Sequence, residues 1–196
     1  IDRKHLAFNP FSDYKNTKKD KDRGYLLRNE LEQLVTFNCD KKKDELVKDL
    51  FVFSCFTGLS YSDMKGLKNS NIQDFFDGNR WIIVRRKKTA TSSNVMLLDI
   101  PKMIIEKYAG LSKDGKVFPV PSNTICNDSL KRISQLIDCL VEKKVTFHLA
   151  RHTFATLFLS EGVPLESLSK MMGHKNIATT QIYAKILNEK VGKDMQ

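Results

Sequence analysis

The chain has 196 residues, and 33 Lys and Arg against 23 Asp and Glu leave it a formal charge of +10. Hydrophobic residues at 41% and charged residues at 29% supply a core and exclude a disordered chain. The longest apolar runs, such as Leu50 to Phe56, stop far short of the roughly 18 to 20 residues of a membrane-spanning helix. So large a cationic excess points to a polyanionic partner, although charge alone does not separate DNA, RNA and an anionic membrane surface. Cys39, Cys55, Cys126 and Cys139 are widely spaced with no C-x-x-C, which argues against a zinc knuckle or a dense disulfide framework. With no signal sequence at its start, the chain is expected in the cytoplasm.

Residues 1–25 are polar, with the charged run Lys15 to Arg23, and they start at Ile1 without a methionine; they are expected to be a linker from a longer protein. From Leu26 the pattern is that of a folded domain. Asn29 to Leu34 reads as a helix start, and Asp44 to Phe56 sets Leu46, Val47, Leu50, Phe51 and Cys55 along a second helix, with Gly58 stopping it in left-handed conformation. A turn at Asp77-Gly78-Asn79 precedes the β-prone run Arg80 to Val84. A second such run, Val95 to Ile100, follows the polar stretch Thr89 to Asn94, which predicts a basic β-hairpin. Pro101 opens a helix to about Tyr108, Asn127 to Val141 has helical spacing, and further helices are expected at about Phe147–Ser160, 164–172 and 177–187. The expected fold is mainly α with a small three-stranded antiparallel sheet, residues 26–187 forming the domain and 188–196 a tail.

Four polar clusters could carry chemistry. In Thr146 to Thr156 (TFHLARHTFAT), a rotation of 100° per residue puts Ala150, Phe154, Leu157 and Phe158 on one face and His148, Arg151, His152 and Ala155 on another, so that one side packs and the other presents cations. His148 and His152 have the i, i+4 spacing of metal ligands, but the glutamate of H-E-x-x-H is absent and no third ligand is evident, so no metal is expected. Gly173-His174-Lys175-Asn176 reads as a helix stop followed by an N-cap. Tyr183 ends Thr179-Thr180-Gln181-Ile182-Tyr183, and Arg85-Arg86-Lys87-Lys88 lies in the hairpin. Singly, each reads as well as a solvated or packed surface feature.

Together, His148-Leu-Ala-Arg151-His-Thr-Phe-Ala-Thr, Gly173-His174 and Tyr183 resemble, in order and spacing, the boxes of the tyrosine recombinases, also called the phage integrase family. Phe56 to Asp63 (FTGLSYSD) resembles that family's T-G-L-R-x-x-E box, and Lys88-Thr89 its hairpin lysine. The likeness runs from about Leu26 to Ile186, the catalytic domain, and makes residues 1–25 the linker from an upstream core-binding domain. One departure stands out: Ser60 occupies the place of the first active-site arginine, and Asp63 the place of Glu or Asp. The wording of this box, with K-x-M-G-H later at Lys170 to His174, is similar to integrases of Bacteroidetes mobile elements, in which that replacement is found.

The resemblance implies an enzyme without metal, ATP or other cofactor. Its partners would be double-stranded DNA attachment sites, and its assembly a homotetramer on DNA from a monomer in free solution. Tyr183 would attack the scissile phosphate, giving a 3′-phosphotyrosine and a free 5′-hydroxyl. Arg151 would offer a bidentate fork to the nonbridging oxygens, His148 would take the tyrosine proton or donate a hydrogen bond, and His174 would donate to the phosphate. Lys88 would be the general acid and Asp63 an orienter of the cations, with His152 structural. Strand alternation from Lys88 puts Arg86 on the same face, where it would partly compensate for the missing arginine while Ser60 keeps a hydrogen-bonding role. Arg85, Lys87 and Lys175 are expected to contact the DNA backbone. The alternatives are a catalytically silent DNA-binding module and a type IB topoisomerase-like enzyme.

Overall fold

The computed structural model describes residues 24–112 and 114–194, with side chains described through residue 188. Most of the expected 1–25 linker thus lies outside the described residues. Gly24 and Tyr25 lie inside them and are half-buried: Lys143 Nζ donates to the Tyr25 carbonyl at 2.9 Å, and the next amide, of Leu26, donates to Thr153 Oγ1.

Helix α1 (Arg28–Thr36) leads to α2 (Lys42–Thr57), the centre of the domain. From Leu50 onward the sequence of α2 is apolar nearly all round, and Val47, Leu50, Phe51, Phe53 and Cys55 are fully buried among α1, α4 (Asp99–Lys107), α5 (Asn123–Leu136) and α6 (Phe147–Ser160). Its buried charged side chains are paired: Lys48 donates to the Phe37 carbonyl, Asp49 accepts from Tyr108 and Lys107, and Asp44 accepts from Arg132. Gly58 ends α2 at φ +65, and a β-carbon there would lie 2.6 Å from the Phe154 ring. That tight passage sets α2 against α6. A short helix not anticipated from sequence, α3 (Tyr61–Lys65), follows, capped by Ser60 Oγ accepting from the Asp63 amide.

The sheet is antiparallel in the order β1-β2-β3, with β1 Ile72–Asp74, β2 Arg80–Arg85 and β3 Ser92–Met96. The register sets Arg85 opposite Ser92 and Trp81 opposite Met96. The second hairpin strand therefore starts three residues earlier than the apolar pattern indicates and ends before Asp99, where α4 begins. Main-chain pairing with β2 draws Ser92, Ser93 and Asn94 into the ladder despite their polarity, and Pro101 is accommodated in the first turn of α4. Helix α5 likewise begins four residues before the expected Asn127, because Ser122 caps it. It breaks at Ile137, so that a 3-10 turn (Asp138–Leu140) buries Leu140.

Helices α7 (Leu165–Met172) and α8 (Ala178–Asp194) form a second small cluster with α6 and β3, built on Val95, Phe154, Leu168, Met172 and Tyr183. Asn176 caps α8 as expected, accepting from the Ala178 amide at 2.9 Å, but the helix continues past residue 187 to Asp194. Among the described residues no helix is long and apolar enough to cross a membrane.

Gly58→Ala should destabilise the domain by about 2 to 4 kcal/mol, since it adds left-handed strain and drives a methyl into Phe154. Chemical denaturation of the two proteins measures the difference; a midpoint unchanged from wild type would show that α2 and α6 can separate at no cost.

Candidate active site

A helix leaves its last carbonyls without helical partners, and the end of α7 shows where three of them go. Gly173, at φ +60, turns the chain so that the His174 amide donates back to the Ser169 carbonyl, and the next carbonyls face the hairpin. The Met171 carbonyl accepts from Ser93 Oγ at 2.5 Å, and the Gly173 carbonyl accepts from Thr91 Oγ1 at 2.5 Å and Thr89 Oγ1 at 3.2 Å. Between them, the Met172 carbonyl accepts from two guanidiniums at once, Arg86 Nη1 and Arg151 Nη2, both at 2.5 Å. The negative end of the helix dipole favours cations at this point. Only glycine fits at position 173, since a β-carbon would fall 2.5 Å from Arg86 Cδ.

Each arginine is fixed from a second side. Arg151 Nη1 donates to the Gly58 carbonyl, so the left-handed end of α2 and the end of α7 grip one guanidinium. Arg86 Nη2 pairs with Asp63 Oδ2 at 3.0 Å, both side chains being buried. Asp63 is itself held: its Oδ1 accepts from the Lys87 amide at 3.0 Å and its Oδ2 from Ser60 Oγ at 2.7 Å. Ser60 thus caps α3 and orients the carboxylate that orients Arg86. Burial, then the nearby Arg86, pulls the Arg151 pKa down to about 9, which leaves it charged at neutral pH. Burial also lowers that of Arg86, with the charge of Asp63 opposing. Arg86 Nε is buried with no hydrogen-bond partner among the described residues, an orphan donor of a kind that costs about 1–3 kcal/mol when left unsatisfied.

Tyr183 is buried beside this pair, close enough that a negative charge on its oxygen stabilises both guanidiniums. The His152 ring stands edge to face against it, with centroids 5.1 Å apart. His152 Nε2 in turn lies 2.9 Å from His148 Nε2, a spacing that requires one nitrogen to carry a proton and the other a lone pair. His174 Nε2 lies 3.0 Å from Arg151 Nη2, and its Nδ1 lies 2.8 Å from Thr180 Oγ1. Burial, then Arg151 and Arg86, lowers the His174 pKa from 6.5 to about 4, so the ring is neutral at physiological pH.

Tyr183, Arg151, His174, Arg86, Asp63 and Ser60 thus converge, with His148 linked through His152. The hairpin departs from the expected geometry. β2 ends at Arg85, and Lys87 to Thr89 form a turn closed by the Ala90 amide on the Arg86 carbonyl, so strand alternation does not extend to Lys88. Arg86 turns inward because its amide bonds the Thr91 carbonyl and its side chain reaches Met172; Lys88 is exposed on the turn. Arg85 is exposed, with Nε on the Ala90 carbonyl, and Lys87 and Lys175 are also exposed. On α6 the expected cation-presenting face is packed in part: Arg151 and Ala155 are buried, because α7 and α8 cover that side, whereas His148 is exposed. Sequence reading passed over the hydroxyls of Thr89, Thr91, Ser93 and Thr180, whose signal was only a polar run on a hairpin and a threonine one turn before Tyr183. Among the described residues no group of three or more His, Cys, Asp or Glu could hold a metal ion.

The model of the phage integrase family matches residues 24–190. The chain belongs to that family. It is 31% identical over 156 residues to tyrosine recombinase XerA of Saccharolobus solfataricus, covering 79% of this chain and 50% of the relative. With a second XerA, of Thermococcus onnurineus, covered over 54% of its length, the chain spans about half the length of the curated relatives it matches. Among solved structures, the XerH site-specific recombinase in a post-cleavage complex with palindromic difH substrate aligns with a TM-score of 0.73 at 19% identity, over 92% of this chain and 55% of that one. The integrase of transposon Tn1549, in complex with transposon right end DNA, aligns with a TM-score of 0.70 at 20% identity, over 90% and 65%. These likenesses establish the fold as that of tyrosine recombinase catalytic domains.

Because the folded pKa of His174 is depressed, the unfolded chain binds more protons between about pH 6.5 and pH 4. Stability should therefore fall as pH drops through that window, and His174→Asn should flatten that part of the curve. Urea midpoints at several pH values for both proteins test this; parallel curves would show that His174 is not held neutral.

Proposed function

We propose that this chain is the catalytic domain of a site-specific DNA recombinase or integrase, which cuts and rejoins strands through a 3′-phosphotyrosine on Tyr183. The observation that carries the reading is a buried tyrosine beside two guanidiniums held on one carbonyl, in a chain of the phage integrase family. A tyrosine ester conserves the phosphodiester energy, so religation needs no ATP. In this scheme the phenol oxygen of Tyr183 bonds to phosphorus as the bond to the 5′ oxygen breaks. The phenolic proton passes to His148, the exposed member of the histidine pair, and a proton from Lys88 on the hairpin turn completes the leaving 5′-hydroxyl.

Arg151 and Arg86 stabilise the charge that builds on the nonbridging oxygens. Arg86 stands in for the arginine absent at Ser60: its Nε, unpaired among the described residues, gives it a donor still to be satisfied, and Ser60 acts through Asp63 to aim it. His174 completes the phosphate contacts, and Arg85, Lys87 and Lys175 meet the flanking DNA backbone from exposed positions. Double-stranded attachment sites are the partner, in keeping with the DNA substrates of the XerH and Tn1549 complexes. We further read the protein as the integrase of a mobile element of Bacteroidetes type, on the wording of Phe56 to Asp63. It would assemble as a tetramer on DNA, with residues 188–196 docking on a neighbouring protomer.

The test is a nicked suicide substrate carrying the attachment site, resolved on denaturing gels. The wild-type protein should form a denaturant-resistant, protease-sensitive DNA adduct, and Tyr183→Phe should bind DNA and form none. An adduct with the Phe variant would move the nucleophile elsewhere, Tyr61 first. Binding without any adduct would indicate a silent module, and relaxation without joining of two sites a topoisomerase.

A further inference from the structure

The helix that carries Tyr183 also holds the side chain that orients His174. Thr180 lies three residues before Tyr183, in the first turn of α8, and is fully buried. Buried helical threonines elsewhere in this domain spend their hydroxyls on carbonyls one turn back: Thr57 on Phe53, Thr153 on Leu149 and Thr156 on His152. Thr180 does otherwise, with Oγ1 placed 2.8 Å from His174 Nδ1. The donor sense follows from the other side of the ring. A guanidinium only donates, so His174 Nε2, 3.0 Å from Arg151 Nη2, is the acceptor. The neutral ring then carries its proton on Nδ1 and gives it to Thr180. Arg151, His174 and Thr180 form a directed chain that begins on the guanidinium and ends on the nucleophile's helix.

We propose that Thr180 is a positioning residue for His174, fixing the plane and tautomer of its ring so that Nε2 faces Arg151 and the phosphate position, in register with Tyr183. A hydroxyl suits this task better than a carboxylate. It accepts from Nδ1–H in the DNA-free protein, and it can donate to a bare Nδ1 once phosphate claims the Arg151 donor and Nε2 carries the proton, with no heavy atom moving.

The inference rests on the recombinase reading, and the experiment separates the two. The chain has four histidines, so imidazole nitrogen shifts from NMR can be assigned one by one. In the DNA-free protein, wild-type His174 should show a single tautomer protonated on Nδ1, and the near-isosteric Thr180→Val should lose that preference. In single-turnover cleavage with DNA saturating, Thr180→Val should be slowed by about tenfold or more, as when an orienting partner of a functional histidine is removed. Thr180→Ser should restore both readouts. In a His174→Ala background, Thr180→Val should cost nothing further, as expected if it acts only through the ring.

A wild-type rate for Thr180→Val, or the same slowing with and without His174, overturns the proposal. If the Val variant does not fold, the comparison is made between Thr180→Ser and Thr180→Ala, where equal rates overturn it equally. A wild-type protein that forms no adduct would instead overturn the recombinase reading, and the His174 tautomer in Thr180→Val would still decide the contact itself.

Discussion

Everything in the site depends on the carbonyls that α7 leaves exposed where Gly173 turns the chain. Two buried guanidiniums side by side repel each other, and burial penalises both charges. Their shared acceptor, the Met172 carbonyl, offsets that cost at the point where the helix dipole is most negative, and Asp63 and the Gly58 carbonyl hold the far side of each. The same turn binds Ser93, Thr91 and Thr89 through the flanking carbonyls. The hairpin is therefore not an appendage: its clamp on α7 is what brings Arg86 into the interior.

Under the proposed function, this arrangement accounts for a serine at position 60. A guanidinium at position 60 would arrive from the start of α3, next to Asp63. In this chain the same carboxylate is met from the other side by Arg86, reaching across from the hairpin, and the serine is left to cap α3 and hydrogen-bond Asp63. In the proposed scheme the charge reaches the phosphate from a different element. In that scheme Asp63 links Ser60 to Arg86, and the serine helps to aim the guanidinium.

The sequence was most legible where periodicity or motif order carried the signal. The helices around α2, the stop at Gly58, the cap at Asn176 and the grouping of His148, Arg151, His174 and Tyr183 all come from such local rules. Arg86 was also reached from sequence, although by a strand alternation that the real turn interrupts. What remained hidden depended on which elements pack together rather than on local pattern. No local rule says that Ser92 to Asn94 will enter a ladder, that Arg151 will be covered by α7 and α8, or that a threonine at 180 will face a histidine at 174 rather than its own helix. Main-chain acceptors such as the Met172 carbonyl have no letter in the sequence at all.

The central claim is that Arg86 and Arg151 together form the phosphate site, and it can be tested on the charge of the phosphate itself. The measurement is the ratio of single-turnover cleavage rates, wild type over Arg86→Ala, on a normal scissile phosphate and on a methylphosphonate that lacks one charged nonbridging oxygen. If Arg86 stabilises that charge, the ratio should be about 10² to 10³ on phosphate and should collapse toward unity on the methylphosphonate. An equal ratio on both linkages, or a wild-type rate for Arg86→Ala on phosphate, would contradict the account and leave Arg86 a structural tie between the hairpin and α7.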